Sequence, residues 1–150
     1  MVRQLQPWFE NLGKRQVKSP KIDLRDSGLL HSLLGIGDWE TMESHTSVGA
    51  SWEGFALEQV LRLGQERDAY YWATQSGAEL DLLLFHQGKR WGFQFKYSEQ
   101  PRTTKSMRTA LQDLKLDRLW IVCPGNLEAP LDEKIEVRGI ETLPALWSEG

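Results

Sequence analysis

Four residues carry the strongest chemical pattern in the chain: Glu53 in Ser51-Trp-Glu-Gly-Phe, Asp81 in Glu-Leu-Asp, and Gln94 and Lys96 in Gln-Phe-Lys. Carboxylate and amide oxygens are the hard ligands that hold Mg²⁺ or Mn²⁺, and a lysine beside them could orient water or steady developing negative charge. This is the equipment of metal-dependent phosphodiester hydrolysis. Lys96, Glu53, Asp81 and Gln94 are the catalytic candidates, and Asp81, Glu53 and Gln94 the metal-ligand candidates. Gln94 is a neutral amide where an acid would serve a hard cation better, so metal binding is expected to be weak.

A β-hairpin must position three of the four. If Gln87-Gly88 is a two-residue turn, counting outward pairs Leu84 with Trp91, Leu82 with Phe93 and Leu80 with Phe95 on one wholly apolar side. The other side pairs Phe85 with Arg90, Leu83 with Gly92, Asp81 with Gln94 and Glu79 with Lys96, gathering the polar groups at the open end. The alternative use of that end is an exposed Glu79–Lys96 ion pair with Asp81 and Gln94 solvated beside it. A helix supplies the fourth residue: Glu53 lies on the stripe of Leu57, Val60 and Leu61, where a buried carboxylate needs a partner or a metal. The alternative is a wet acid in the first turn that favours the helix dipole.

The surrounding elements follow from periodicity. Asp26 to Gly35 reads as a short capped helix, Gly37 to Gly49 as a loop and Ser51 to Leu63 as a core helix. Strands are expected at Tyr70–Thr74, Glu79–Phe85 and Arg90–Lys96, a helix over Thr103–Lys115, a buried strand at Leu119–Cys123 and an edge strand at Ile135–Val137. A strand–helix–strand unit starting at Arg90 implies a right-handed crossover and parallel pairing, hence an α/β sheet flanked by helices. Residues 1–25, basic and broken by Pro7, Gly13 and Pro20, read as a poorly anchored lead-in to a domain over residues 26–150.

The net charge of −3 conceals segregation: residues 26–81 hold ten acids against two bases, and residues 82–120 eight bases against three acids. A basic segment beside an acidic one suits a phosphate-binding face near a metal cluster, although two solvated faces would have the same composition. Arg102, Lys105, Arg108 and Lys115, on and beside the Thr103 helix, are the candidates for contacting a nucleic-acid backbone. No apolar run approaches the ~20 residues of a membrane span, and the lone Cys123 suits a reducing compartment, so a cytoplasmic protein without a membrane partner is expected. The pattern G-x-x-x-x-G-K-[ST] is absent, so ATP binding by this chain is not expected.

On Glu53, Asp81, Gln94 and Lys96 the chain resembles the PD-(D/E)XK nuclease-like superfamily over about residues 51–123, these four matching its helix glutamate, strand aspartate and (E/Q)-x-K strand. Leu80 stands where that motif has Pro, and Gln94 where it commonly has an acid. Over most of its length the chain also resembles the C-terminal domain of unknown function in predicted prokaryotic AAA-type ATPases. Lys18-Ser-Pro-Lys-Ile-Asp-Leu-Arg-Asp-Ser-Gly-Leu-Leu-His-Ser-Leu-Leu, Gly49-Ala-Ser-Trp-Glu-Gly-Phe and Ser76-Gly-Ala-Glu-Leu-Asp carry that likeness. The resemblance implies a mixed sheet flanked by helices, a Mg²⁺ or Mn²⁺ site, nucleic acid as a partner and an upstream ATPase domain. The competing function is a non-catalytic interaction or regulatory domain of that ATPase, and fold alone does not choose between them.

Overall fold

The Gln87-Gly88 turn sets the central hairpin: both residues adopt positive φ, 50° and 77°, as a two-residue primed turn requires. The flanking strands therefore take the expected register, with His86 opposite Lys89, Phe85 opposite Arg90, Leu84 opposite Trp91, Leu83 opposite Gly92 and Leu82 opposite Phe93. The computed structural model describes residues 2–24, 48–65 and 68–149; the helix expected at Asp26–Gly35 and the loop that follows lie outside them, apart from the last residues before Gly49.

Eight strands form one mixed sheet: β1 (Val2–Pro7), β2 (Lys21–Leu24), β3 (Ala69–Ala73), β4 (Glu79–His86), β5 (Lys89–Phe95), β6 (Arg118–Cys123), β7 (Glu128–Pro130) and β8 (Ile135–Gly139). Their spatial order is β2-β1-β3-β4-β5-β6-β8-β7. Among the described residues three helices flank it, α1 (Val48–Leu63), α2 (Lys105–Asp113) and α3 (Leu143–Glu149), with a short 3₁₀ turn at Ile140–Thr142 leading into α3. The crossover from β5 through α2 to β6 gives the expected parallel pairing. Thr104 caps α2, its hydroxyl accepting the Met107 N–H.

Both faces of the sheet are covered. Leu57, Val60 and Leu61 of α1 pack with Leu82, Leu84, Trp91, Phe93 and Phe95 on one side. Met107, Ala110 and Leu114, from α2 and its end, pack with Leu83, Leu119 and Ile121 on the other. Gly92 is the floor of that second layer, since a Cβ there would stand 2.6 Å from Leu116 Cδ1.

Three expectations need correction. Residues 2–24, expected as part of a loose lead-in, are tied into the sheet: β1 pairs in parallel with β3, and Leu5 is 3% exposed in the core. Arg3 donates from Nε and Nη2 to both oxygens of Glu58 at 2.8 Å, Glu10 accepts from Arg90, and buried Gln16 accepts from Trp72 Nε1 at 2.9 Å. Packing against Trp72 and α1 outweighs the breakers that made the segment look irregular. The strand at Ile135 is interior rather than an edge, because the three-residue β7 pairs beyond it. Leu80 leaves the apolar face of Leu82 and Leu84 and joins the α2 side. The cause is a bulge: Tyr70 and Trp72, two apart on β3, face Leu83 and Leu80, three apart on β4.

Candidate functional site

That bulge decides where the acids go. An extra residue in β4 breaks strict alternation, so Asp81 and Leu82 both turn toward α1 while Leu80 turns away. Regular pairing of β4 with β5 ends at Leu82–Phe93, and beyond it side chains replace the ladder. Asp81 N–H donates to the Gln94 carboxamide oxygen at 2.7 Å, and Phe95 N–H donates to Asp81 Oδ2 at 2.9 Å. The open end of the hairpin is thus splayed and pinned by the two polar residues expected to face each other there.

Glu53 meets this end from α1. The helix starts at Val48, so Glu53 sits in its second turn and cannot be the first-turn acid of the alternative reading. Its stripe is buried at Leu57, Val60 and Leu61, and Glu53, half-buried, opens with Asp81 onto one cavity of about 190 Å³. Lys21 of β2, Ala50, Gly54, Leu57 and Phe95 complete its lining.

The electrostatics are those of two acids short of cations. Burial, above all, and then the Asp81 charge hold Glu53 above its ordinary carboxylate range, with Lys96 and Lys21 pulling down and Glu79 pushing up. Asp81 is likewise raised, first by burial; the Phe95 N–H, Lys21 and Lys96 oppose that rise, and Glu79 adds to it. Lys96 is thus an electrostatic neighbour of both acids, but it does not line the cavity. It forms no ion pair with Glu79, whose N–H instead donates to Ser106 Oγ at 2.8 Å.

Gln94 takes a different place from the one expected. Phe93 and Phe95 face α1, so by alternation Gln94 faces the α2 side; it is 3% exposed and outside the cavity lining. It shares hydrogen bonds with Asp81 but not a face. Among the described residues no three His, Cys, Asp or Glu side chains converge as a metal cage. Glu53 and Asp81 are the two carboxylates on the cavity that could hold Mg²⁺ in the sparser mode of one or two carboxylates and several waters.

The basic candidates do not form one stripe. Lys105 opens α2 and Arg102 is exposed just before it, whereas Arg108 is held by Asp132 at 2.6 Å and Thr103, and Lys115 lies past the helix end at φ 53°. Lys21 and the Arg3–Glu58 pair were missed. The basic composition of the first 25 residues was the only sequence signal for Lys21, and nothing short of the β1–β3 pairing indicates Glu58.

No helix among the described residues is long and apolar enough to cross a membrane. No solved structure matches the chain. Residues 1–40 match a domain of unknown function (DUF8612). The chain is 52% identical over 135 residues to Uncharacterized protein Rv2008c of Mycobacterium tuberculosis and, equally, to Uncharacterized protein Mb2031c of Mycobacterium bovis. These matches cover 90% of this chain and 31% of either relative, so the chain spans about a third of the length of the curated relatives it matches. Residues 48–143, which hold α1, the splayed hairpin and the crossover, match the family described as Domain of unknown function (DUF4143), and the chain belongs to that family.

Proposed function

We propose that this domain is a PD-(D/E)XK nuclease-like module that binds nucleic acid through a weak Mg²⁺ or Mn²⁺ site and hydrolyses phosphodiesters slowly. One observation carries the reading: Glu53 and Asp81, from a helix and a bulged strand, open onto one cavity beside Lys21. The mixed sheet flanked by helices supports it, being what the superfamily resemblance implies.

A bound divalent ion would supply Lewis-acid polarisation of a phosphate. Glu53 and Asp81 are its holders. Gln94 acts as a positioning residue, fixing the Asp81 backbone so that the carboxylate turns into the cavity. Lys96 and Lys21 provide positive potential for an anionic substrate and for charge that grows on the phosphate during reaction. The competing reading is a non-catalytic interaction or regulatory domain attached to an AAA-type ATPase. The turning of Gln94 away from the cavity favours it, since this leaves two of the three expected oxygen ligands there.

Calorimetric titration with Mn²⁺ and cleavage assays on single- and double-stranded DNA and on RNA test the proposal. Wild type is expected to bind Mn²⁺ in the millimolar range, and Glu53→Gln or Asp81→Asn to abolish binding. Lys96→Ala should preserve metal binding and remove any cleavage. Metal binding without cleavage in every assay would leave the scaffold reading; no metal binding at all would overturn the site.

A further inference from the structure

Away from the carboxylate cavity, Lys14, Arg15, Lys18 and Lys105 gather where the N-terminal segment crosses the end of the sheet. Two shallow hollows of about 470 and 310 Å³ adjoin there and share Lys14. Arg15, Lys18 and Phe9 line the first, and Lys105 and Ser106 of α2 line the second. Among the described residues no acid lines either, although Asp113 holds Lys14 at 2.6 Å and offsets one charge. Phe9 is 58% exposed, and its ring lies 5.4 Å from the Lys18 ammonium. An exposed ring beside cations, in a concave strip with hydroxyls, matches the chemistry of single-stranded nucleic acid, where bases stack on aromatic faces and phosphates meet Lys and Arg.

The strip also leads somewhere. Its second hollow is bounded by Ser76, Gly77 and Ala78, the turn that enters β4, and Ser106 Oγ hydrogen-bonds both the N–H and the carbonyl of Glu79. Glu79 is two residues from Asp81, so the strip reaches the open end of the hairpin from the α2 side, at the point where Asp81 turns across to the α1 side. We propose that Lys18, Phe9, Arg15, Lys14 and Lys105 form a track for single-stranded nucleic acid that delivers its backbone to the open end of β4 and β5. The inference rests on the nuclease-like reading for its destination, and on the strip alone for binding.

The test is fluorescence anisotropy of labelled 20-nucleotide single strands and the matching duplex, with the full chain in EDTA at 50 and 200 mM salt. With three or four phosphates engaged at ~0.7 each, log K should fall with log salt at a slope of about −2 to −3. Arg15→Glu/Lys18→Glu is expected to weaken single-strand binding at least about tenfold and flatten the slope by about one to two. Phe9→Ala should cost about tenfold on single strands and little on the duplex. All three residues are described surface positions, and thermal melts of the variants check that folding is intact. Binding by the double variant equal to wild type overturns the track, as does equal loss of single strand and duplex in Phe9→Ala. Tighter binding of wild type to phosphatidylserine vesicles than to oligonucleotides would assign the strip to a membrane surface and overturn it too. A wild type that takes up Mn²⁺ but binds no oligonucleotide removes the track and leaves the carboxylate site. One that binds oligonucleotide on the strip but takes up no Mn²⁺ leaves the track and removes the site.

Discussion

Replacing Asp81 with Asn separates the two jobs of that side chain. The carboxylate accepts the Phe95 N–H at 2.9 Å, and the amide oxygen of Asn can accept the same bond, so geometry is kept while charge is lost. Burial above all, and Glu79 with it, raise the folded-state pKa of Asp81. An acid whose folded pKa is raised contributes stability that is fully present below its unfolded value, about 3.9, and is lost as pH rises through the folded value. Without metal, Asp81→Asn should therefore be more stable than wild type at pH 7, with the advantage vanishing toward pH 3–4. Asp81→Ala removes the acceptor as well and leaves a buried donor, which costs about 1–3 kcal/mol relative to Asn. At roughly 2–4 °C per kcal/mol for a domain of this size, the two variants should differ in Tm by several degrees. A site with Kd of about 1 mM gains ~1.4 kcal/mol at 10 mM Mg²⁺, so metal should return about 3–5 °C to wild type and nothing to Asp81→Asn. Differential scanning fluorimetry from pH 4 to 8, in EDTA and in Mg²⁺, reads all of this. If Asp81→Asn melts below wild type at pH 7 in EDTA, or its advantage does not change with pH, the carboxylate is not held against its surroundings and the metal argument falls.

Gln94→Glu would place a buried acid against Asp81 but on the α2 side, off the cavity, so its Tm should drop by several degrees and its Mn²⁺-induced shift should be no larger than in wild type; a larger shift would put that position in the metal site. Leu5→Ala should cost about 2–5 kcal/mol in chemical denaturation, and amide exchange in β1 should be slowed to the level of α1, outcomes that a loose N-terminal segment would not give. Gly139→Ala should lose about 3 kcal/mol or fail to fold, because a Cβ there collides with the Gly125 carbonyl, which is backbone and cannot swing aside; a melt within 2 °C of wild type would mean the β8 end can shift freely.

The hairpin was legible because its information is local. A Gln-Gly turn fixes a register, and alternation then assigns faces to Leu82, Leu84, Trp91 and Phe93 as observed. The α1 stripe and the β5–α2–β6 crossover were legible for the same reason, periods of 3.6 and 2 being properties of short windows. What escaped was non-local. Whether Val2–Pro7 is a strand depends on pairing with β3 more than sixty residues away, and whether Ile135–Gly139 is an edge depends on the three-residue β7 that precedes it. α3, seven residues with Pro144 at its second position, has too little length to show a period.

The candidate site sits where the local rules stop, and the reason is physical. Strict alternation from the turn would have put Leu80 with Leu82 and Leu84, and Asp81 on the opposite face with Gln94. With Leu83 buried under α2 and Leu82 under α1, one extra residue in β4 lets Leu80 pair across from Trp72 and fill the α2 layer, and it reverses Asp81 onto the α1 side. The displaced backbone groups then need partners, which Gln94 and Asp81 supply to the Asp81 and Phe95 N–H groups. Glu53 and Asp81 therefore line one cavity, but not by the register counted from the turn, which the strand abandons before reaching the acid. Deleting Leu82 would remove the extra residue and restore regular pairing while leaving Asp81, now in the place of Leu82, on the α1 side, so a folded deletion variant should still bind Mn²⁺. Loss of Mn²⁺ binding by such a folded variant would show that the cavity depends on the break in alternation itself and not only on which face carries Asp81.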